Sequence, residues 1–317
     1  MAIFLRESDV EKLASMKMAL DAVEQAFRLQ GEQKADNAPR GRCTLEKGFL
    51  HVMSASLPTL NVAGLKAYTS VAGTTRFHVL LYDGQDGKLL AVIEADKLGQ
   101  LRTGAASGVA TSYMARQDCS KVGIYGTGWQ ARAQLEAMCA VRPIKTVMAF
   151  GRDKERREEF CKQMSKSLGI AVYPAANPED AAKDMDIIIT ATTSKEPVLK
   201  NEWVAKGTHI NAIGANFLQK QEVDVETVGR CACVVVDSVE QSKMESGDLA
   251  RAAEAGVFFW EDARQLGLVV VGDFPGREDD SEITLFKSNG IALEDVAFGF
   301  KLYQAATAAG IGQSLPF

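Results

Sequence analysis

The stretch KVGIYGTGWQA (residues 121–131) decides the fold of this chain. A short apolar run ends in a turn that contains Gly126 and Gly128, and the helix-forming stretch QARAQLEAMCAV (130–141) follows at once. A G-x-G-x-x-A turn between a strand and a helix is typical of dinucleotide-binding units. The first glycine permits the tight turn, and the second leaves room for a pyrophosphate at the helix N-terminus. The stretch therefore predicts a Rossmann-like unit that binds a dinucleotide.

Strand and helix candidates alternate after this turn. They are VMAF (147–150), the charged helix DKERREEFCKQMSKSL (153–168), AVYP (171–174), IIITATT (187–193), THINAIG (208–214) and CVVVDS (233–238). Parallel strands need crossover connections, which are usually helices, so this alternation indicates a doubly wound parallel sheet.

The chain before the turn has a different pattern. Apolar residues from Ser8 to Gln30 recur at helical spacing, with Ser8 and Glu11 as a candidate capping box. Short β-favouring runs follow and predict a mainly antiparallel sheet; they are FLHVMSA (49–55), VAGLKAYTS (62–70), FHVLLYD (77–83) and KLLAVIEA (88–95).

These patterns predict an α/β protein with two domains. A small-residue helix links the antiparallel sheet to the Rossmann-like unit, and a strand and helix in residues 283–310 return to the first part. We expect residues 1–116 and 293–317 to form one domain and residues 117–292 the other.

Charge and composition restrict the partners. The chain has 317 residues with 36 Lys and Arg against 41 Asp and Glu, a net charge of −5, so no basic field exists for nucleic acid or an anionic membrane. Its apolar runs are too short for a membrane span, and its start does not read as a signal peptide. Six scattered cysteines fit reduced thiols in a cytoplasm. The three histidines are far apart, so no metal site is predicted.

The end of the second strand of the parallel sheet usually selects between NAD and NADP. A carboxylate there binds the ribose hydroxyls, but this chain has Gly151 followed by Arg152, a donor suited to a 2′-phosphate. We predict a preference for NADP(H), with NAD(H) possible because Asp153 is close.

Four segments carry a resemblance to a known family. They are ADKLGQLRTGAASGVAT (95–111), GTGWQARAQLEA (126–137), INAIGANFLQKQEVD (210–224) and SNGIALEDVA (288–297). In this order they resemble the ornithine cyclodeaminase/mu-crystallin family. The resemblance implies a Rossmann domain inserted into an α/β substrate-binding and dimerisation domain. Family members include cyclodeaminases, alanine dehydrogenases, ketimine and imine reductases, and amino-acid condensing synthases.

The resemblance also implies a substrate site. Arg40 and Lys66 would bind a carboxylate, with Arg102 near both substrate and cofactor, and Met53 and Gly290 beside them. The chemistry agrees, because an Arg fork matches the planar carboxylate of a small α-imino or α-amino acid and a second cation neutralises it.

A further set of residues is expected at the cofactor. The resemblance implies contacts from Thr75, Thr103, Gly126, Gly128, Trp129, Gln130, Arg152, Ala191, Thr192, Asn211, Ala212, Ile213, Lys220 and Asn289, in addition to Arg102.

The chain departs from the cyclodeaminase pattern at Asn216. The cyclodeaminases have an Asp there as the proposed acid/base, whereas an amide cannot accept a proton at working pH. Asn216 can still orient an imine nitrogen or a water molecule. A desolvated Lys66 is the candidate proton donor.

The leading hypothesis is therefore an NAD(P)H-dependent reductase of small or cyclic α-imino acids that forms a homodimer. Two alternatives remain open. One is ornithine cyclodeamination, which gives proline and ammonia, and the other is a protein of the mu-crystallin type that binds NADPH or a small ligand without turnover.

Overall fold

The computed structural model describes residues 1–316 and divides into two compact units. The first holds residues 1–106 and the segment from Gly290 onward, and the second holds Ser107–Asn289. Both boundaries lie earlier than the sequence predicted. The first falls inside the continuous helix α3 (Asp96–Met114), because the turns of α3 that follow Ala106 pack with the second unit.

The first unit is built on a mixed sheet. Its strands are β1 (Ile3–Leu5), β2 (Asp36–Leu45), β3 (Gly48–Leu57), β4 (Val62–Val71), β5 (Thr74–Asp83), β6 (Leu89–Glu94) and β15 (Gln313–Ser314). They lie in the order β15-β1-β6-β5-β4-β3-β2. The run from β2 to β6 is antiparallel, as predicted, and β1 adds parallel to β6. Strands β1, β2 and β15 were not predicted from the sequence.

Helices α1 (Glu7–Leu13), α2 (Met16–Gly31) and α10 (Ala292–Ala309) complete the first unit. The prediction of one helix capped by Ser8 was wrong. The helix ends at Leu13, and Ser15 begins the next one by accepting a hydrogen bond from the Met18 amide at 3.2 Å. Helix α10 comes close to the sheet at Gly64, where a Cβ would lie 3.0 Å from the Val296 side chain.

The second unit has an entirely parallel sheet. Its strands are β7 (Lys121–Tyr125), β8 (Thr146–Phe150), β9 (Ala171–Pro174), β10 (Ile187–Thr190), β11 (His209–Ala212), β12 (Cys233–Val236), β13 (Arg264–Gln265) and β14 (Thr284–Lys287). They lie in the order β13-β12-β14-β11-β10-β7-β8-β9. The order reverses at β7, the first strand, so the predicted doubly wound sheet is confirmed.

Helices connect these strands. They are α4 (Trp129–Val141), α5 (Lys154–Leu168), α6 (Val225–Arg230), α7 (Val239–Glu245), α8 (Gly247–Glu254) and α9 (Leu266–Val271). The central strands are buried along their whole length, as expected when elements cover both faces of a parallel sheet. Within residues 1–316, no helix combines the length and apolar character needed to cross a bilayer.

Candidate active site

A cluster of buried cations lies on the face of the first unit's sheet that α10 covers. Arg40, Lys66 and Arg102 come from β2, β4 and α3, and each is less than a tenth exposed. Arg40 lies where the register of β2 against β3 shifts, between Ala38 and Gly41, and it is buried whereas the rest of β2 is exposed or half-buried. Its guanidinium donates to the Gly290 carbonyl at 3.0 Å.

The Lys66 ammonium is paired inside the unit. Its Nζ lies 2.8 Å from an Asp295 carboxylate oxygen and 4.8 Å from the centre of the Phe77 ring. Burial, with Arg102 and Arg40 nearby, lowers the pKa of Lys66 from 10.5 to about 8, although Asp295 opposes the shift. The ammonium therefore predominates at neutral pH and can lose its proton within the pH range of an assay.

Arg102 contacts two carboxylates at the start of α10. It lies 2.6 Å from Glu294 and 3.1 Å from Asp295, both in the first turn, where the helix dipole favours negative charge. Gly290 makes room for it, because its φ of +76° suits glycine and a Cβ would lie 2.7 Å from the guanidinium. Sequence reasoning missed Glu294 and Asp295, although the acidic pair stands in the quoted segment SNGIALEDVA.

The other residues expected in this unit differ in their placement. Met53 is buried, and its sulfur lies 3.3 Å from Arg40 Nε. Thr103 is half-buried and donates to the Gly99 carbonyl one helical turn back, at 2.8 Å. Thr75 is exposed near the start of β5. The structure therefore brings Met53 and Gly290 together with the cation cluster, whereas Thr75 is exposed.

In the second unit, the glycine turn has the shape that a dinucleotide requires. Gly126 has a φ of +104°, and a Cβ there would lie 2.3 Å from the Ala191 carbonyl oxygen. Gly128 precedes α4, and a Cβ there would meet nothing within 4 Å. Trp129 is exposed and Gln130 half-buried in the first turn of α4. The turn thus leaves open space at a helix N-terminus, which fits a pyrophosphate.

These two glycines give a matched pair of variants. Gly126→Ala is expected to destabilise the fold, because its Cβ would overlap backbone at a positive φ. Gly128→Ala meets open space, so the melting temperature should change little while the dissociation constant for NAD(P)H rises about tenfold or more, since the methyl group occupies the pyrophosphate position. Thermal melting and titration of NAD(P)H fluorescence separate the two effects. Unchanged affinity in Gly128→Ala would contradict the assignment.

The end of β8 carries the residues expected at the adenosine ribose. A Cβ on Gly151 would lie 2.9 Å from the Thr127 hydroxyl, so no side chain fits there without a shift. Arg152 is exposed. The Asp153 carboxylate accepts from the Arg156 amide at 3.0 Å and so caps α5, which gives this side chain a structural role.

Glu222 joins the carboxyl ends of β10 and β11. It is buried, and it accepts hydrogen bonds at 2.6–3.0 Å from the backbone amides of Thr192, Gly214 and Ala215 and from the Thr192 hydroxyl. Burial, with Asp248 nearby, raises the pKa of Glu222, although Lys287 and Thr192 oppose the shift. Sequence reasoning missed this residue, which fixes the segments that hold Ala191, Thr192 and Ile213.

Two expected cofactor residues use their side chains within the unit. The Asn211 amide donates to the Thr111 hydroxyl at 3.0 Å. Asn289 accepts from the Ser242 hydroxyl at 3.0 Å, and its backbone amide donates to Asp237. These contacts fix the ends of β11 and β14.

The loop after β11 holds Asn216 and Lys220. Lys220 Nζ donates to Asn216 Oδ1 at 3.3 Å, and burial lowers the pKa of Lys220. Ala212 is buried, and its carbonyl accepts from the buried Lys287 at 3.3 Å. The structure therefore places Ala191, Thr192, Ala212 and Ile213 at one edge of the parallel sheet, where open α/β sheets bind ligands. The described residues 1–316 contain no group of three or more His, Cys, Asp or Glu side chains suited to a metal ion.

The parallel sheet with its glycine turn has the fold of a dinucleotide-binding unit, and the first unit buries three cationic side chains together. The chain belongs to the ornithine cyclodeaminase/mu-crystallin family, whose model matches residues 1–310. The resemblance seen in the sequence is thereby confirmed.

Known relatives match almost the whole chain. It is 40% identical to alanine dehydrogenase of Archaeoglobus fulgidus, over 99% of this chain and 98% of the relative. It is 36% identical to Delta(1)-pyrroline-2-carboxylate reductase of Bacillus cereus, over 86% of each chain. Among solved structures, the Delta(1)-pyrroline-2-carboxylate reductase of Thermococcus litoralis, in complex with NADH and L-proline, gives a TM-score of 0.95 at 37% identity, covering 99% of this chain and 100% of that one.

Proposed function

We propose that this protein reduces the C=N bond of small α-imino acids with NAD(P)H and so forms α-amino acids. One observation carries the proposal. Arg40, Lys66 and Arg102 are buried close together, and Lys66 and Arg102 are fixed by the carboxylates of Asp295 and Glu294. Guanidinium and ammonium groups oriented in this way suit the planar carboxylate that every imino acid carries.

The relatives support the same chemistry. The similar proteins include a pyrroline-2-carboxylate reductase and an iminosuccinate reductase, which are named as reductases of imino acids, and an alanine dehydrogenase, which is named for an amino acid. The glycine turn of the second unit fits the cofactor that such a reaction needs.

In this proposal Arg40 and Arg102 bind and orient the substrate carboxylate. Their guanidinium groups are held by Gly290, Glu294 and Asp295, so little rotamer freedom is lost on binding. When bound, NAD(P)H supplies the hydride that reduces the imine carbon. Lys66 Nζ gives a proton to the nitrogen and regains one from solvent, so the imine gains two electrons and two hydrogens overall.

Asn216 separates this reaction from cyclodeamination. Its amide oxygen accepts a hydrogen bond from Lys220 and cannot take a proton as an Asp would. We assign it an orienting role for the imine nitrogen or a bound water.

The test is the loss of NADPH absorbance with 1-pyrroline-2-carboxylate and 1-piperideine-2-carboxylate, beside NADH and beside L-ornithine with NAD⁺. Oxidation of NAD(P)H with either imine supports the proposal. Formation of ammonia and proline from L-ornithine alone would indicate a cyclodeaminase. No turnover in any assay would favour a binding protein.

We further propose that NADPH binds more tightly than NADH. The Asp153 carboxylate caps α5, Gly151 leaves no acidic side chain at the ribose, and exposed Arg152 remains for a 2′-phosphate. Arg152→Ala should weaken NADPH about tenfold to a hundredfold, the worth of a charge-assisted hydrogen bond, while NADH changes less than threefold. Arg156→Ala is the control, because the Arg156 side chain pairs with Asp153 at the start of α5. An equal loss for both cofactors would contradict the assignment.

We also propose a homodimer formed through the sheet face opposite Lys66. Ser54, Ala63, Leu65 and Tyr82 line an apolar depression of about 350 Å³ on that face, and an archaeal alanine dehydrogenase with a TM-score of 0.94 to this chain is described as a dimer. Leu65→Arg should shift the mass measured by light scattering toward the monomer. An unchanged mass would exclude this face.

A further inference from the structure

A row of aromatic side chains continues the sheet face beyond the cation cluster. In the strand register, His51, Tyr68 and Phe77 stand side by side on β3, β4 and β5. The neighbouring row on the same strands contains Lys66. Since residues two apart on a strand point to the same face, this aromatic row and Lys66 share one face, with about 7 Å between successive positions.

The three rings form a continuous surface. The His51 and Tyr68 rings are stacked, with centroids 4.2 Å apart and an angle of 4° between the planes. The Tyr68 and Phe77 centroids are 4.9 Å apart. His51 is buried, whereas Tyr68 and Phe77 are half-buried and keep exposed ring surface. A substrate whose carboxylate lies at the cations can therefore place its side chain on these rings.

The aromatic row carries no charge at neutral pH. Burial lowers the pKa of His51 to about 4, helped by Arg42 and Arg40, and its Nε2 lies 3.0 Å from the Ser70 hydroxyl. The rings of Phe77 and Tyr68 already face one cation, since Lys66 Nζ lies 4.8 Å and 5.9 Å from their centroids. A second ammonium, carried by the substrate onto these rings, would lie near the positive charges of Lys66, Arg40 and Arg42. The row itself contains no carboxylate to pair with it.

We propose that the aromatic row of His51, Tyr68 and Phe77 binds the side chain of the substrate and selects imino acids with an uncharged ring or alkyl group over those with a second ammonium. The proposal rests on the proposed function and deepens it, because it names the substrate class. The three ring residues distinguish one substrate side chain from another, whereas the buried cations bind the carboxylate that all such substrates share.

The test uses two amino acids that differ in one ammonium. L-Norvaline and L-ornithine carry a three-carbon side chain without and with a terminal ammonium, and L-proline supplies a ring. Calorimetric titration in the presence of saturating NAD(P)⁺ measures binding without turnover. We expect L-norvaline and L-proline to bind at least tenfold more tightly than L-ornithine, because an unpaired charge in a desolvated site is costly. Equal binding, tighter L-ornithine binding or no binding of any of the three would overturn the proposal.

A charge placed in the row should reverse this preference. His51→Glu is expected to change the ratio of the two dissociation constants by tenfold or more in favour of L-ornithine. His78→Glu is the control, since exposed His78 lies on the opposite face of β5 and should leave the ratio unchanged. An unchanged ratio in His51→Glu would overturn the proposal.

Phe77→Leu is a second, milder variant if His51→Glu does not fold. It should weaken L-proline more than L-alanine, whose methyl group is too short to cover the rings, and an equal loss for both would overturn the proposal. Imine reduction by the wild-type protein is measured separately. Imine reduction together with equal binding of L-norvaline and L-ornithine would contradict only the role given to the aromatic row. The absence of any turnover would contradict the proposed function.

Discussion

Lys66→Met is expected to lower kcat/KM for imine reduction by about 10² to 10⁴, the usual contribution of a positioned general acid. Methionine keeps the length and packing of the side chain but supplies neither a proton nor a positive charge for the carboxylate. Because the pKa of Lys66 is about 8, the wild-type kcat/KM for reduction should fall above that pH as the ammonium is lost. In Lys66→Met this dependence should disappear. Initial rates of NAD(P)H oxidation between pH 6 and 10, with an imine stable over that range, measure both effects.

Lys88→Met is the matched control, because Lys88 pairs with Asp86 on the surface at the end of the β5–β6 connection. It should leave both the rate and its pH dependence unchanged. Retention of the alkaline fall in Lys66→Met would show that another group sets it, and Lys66 would then be restricted to carboxylate binding.

Asp295→Asn is expected to cost about 3–5 kcal/mol of unfolding free energy, the usual result of removing one partner from a buried ion pair. The carboxylate of Asp295 lies against both Lys66 and Arg102, and all three side chains are almost fully buried. Denaturant unfolding measures the loss. Asp86→Asn, at the exposed pair with Lys88, should unfold at the same denaturant concentration as the wild type. A loss under 1 kcal/mol in Asp295→Asn would contradict the importance given to this pair.

The same variant should move the alkaline fall in activity to lower pH, because Asp295 opposes the lowering of the Lys66 pKa. The activity of the wild type should fall as pH rises, whereas the contribution of Lys66 to stability should rise. In the wild type the pKa of Lys66 is about 8 when folded and near 10.5 when unfolded, so the unfolded chain binds more protons between these values. The contribution of Lys66 to the free energy of unfolding therefore increases as pH rises from about 8 toward 10.5.

Local signals in the sequence were sufficient for the Rossmann-like unit. The turn at Gly126 and Gly128 and the alternation after it depend on neighbours along the chain, and β7 to β12 lie where these patterns place them. The short strand β13 was not predicted, and β14 pairs within the parallel sheet instead of returning with α10 to the first unit. The first helix was predicted less well. Apolar spacing continues through Ala14 and Ser15, so periodicity alone could not reveal that the helix ends at Leu13 and begins again after Ser15.

The sequence also indicated the three cations, but not what holds them. Lys66 lies 229 residues from Asp295 along the chain, and Arg102 lies 192 residues from Glu294. No local pattern pairs residues so far apart. Glu222 was missed for a related reason, since its partners are mainly backbone amides, which every sequence contains. The cofactor contacts expected from Thr75 and Thr103 stay predictions.

Helix α10 is synthesised only after the whole of the second unit. Until it leaves the ribosome, the apolar face of the sheet in the first unit, including Gly64, is not covered by α10, and Lys66 and Arg102 lack the carboxylates of Asp295 and Glu294. The second unit is contiguous in the chain and can fold while the first waits. The growing chain therefore contains the whole dinucleotide-binding fold before the buried ion pairs of the first unit can form.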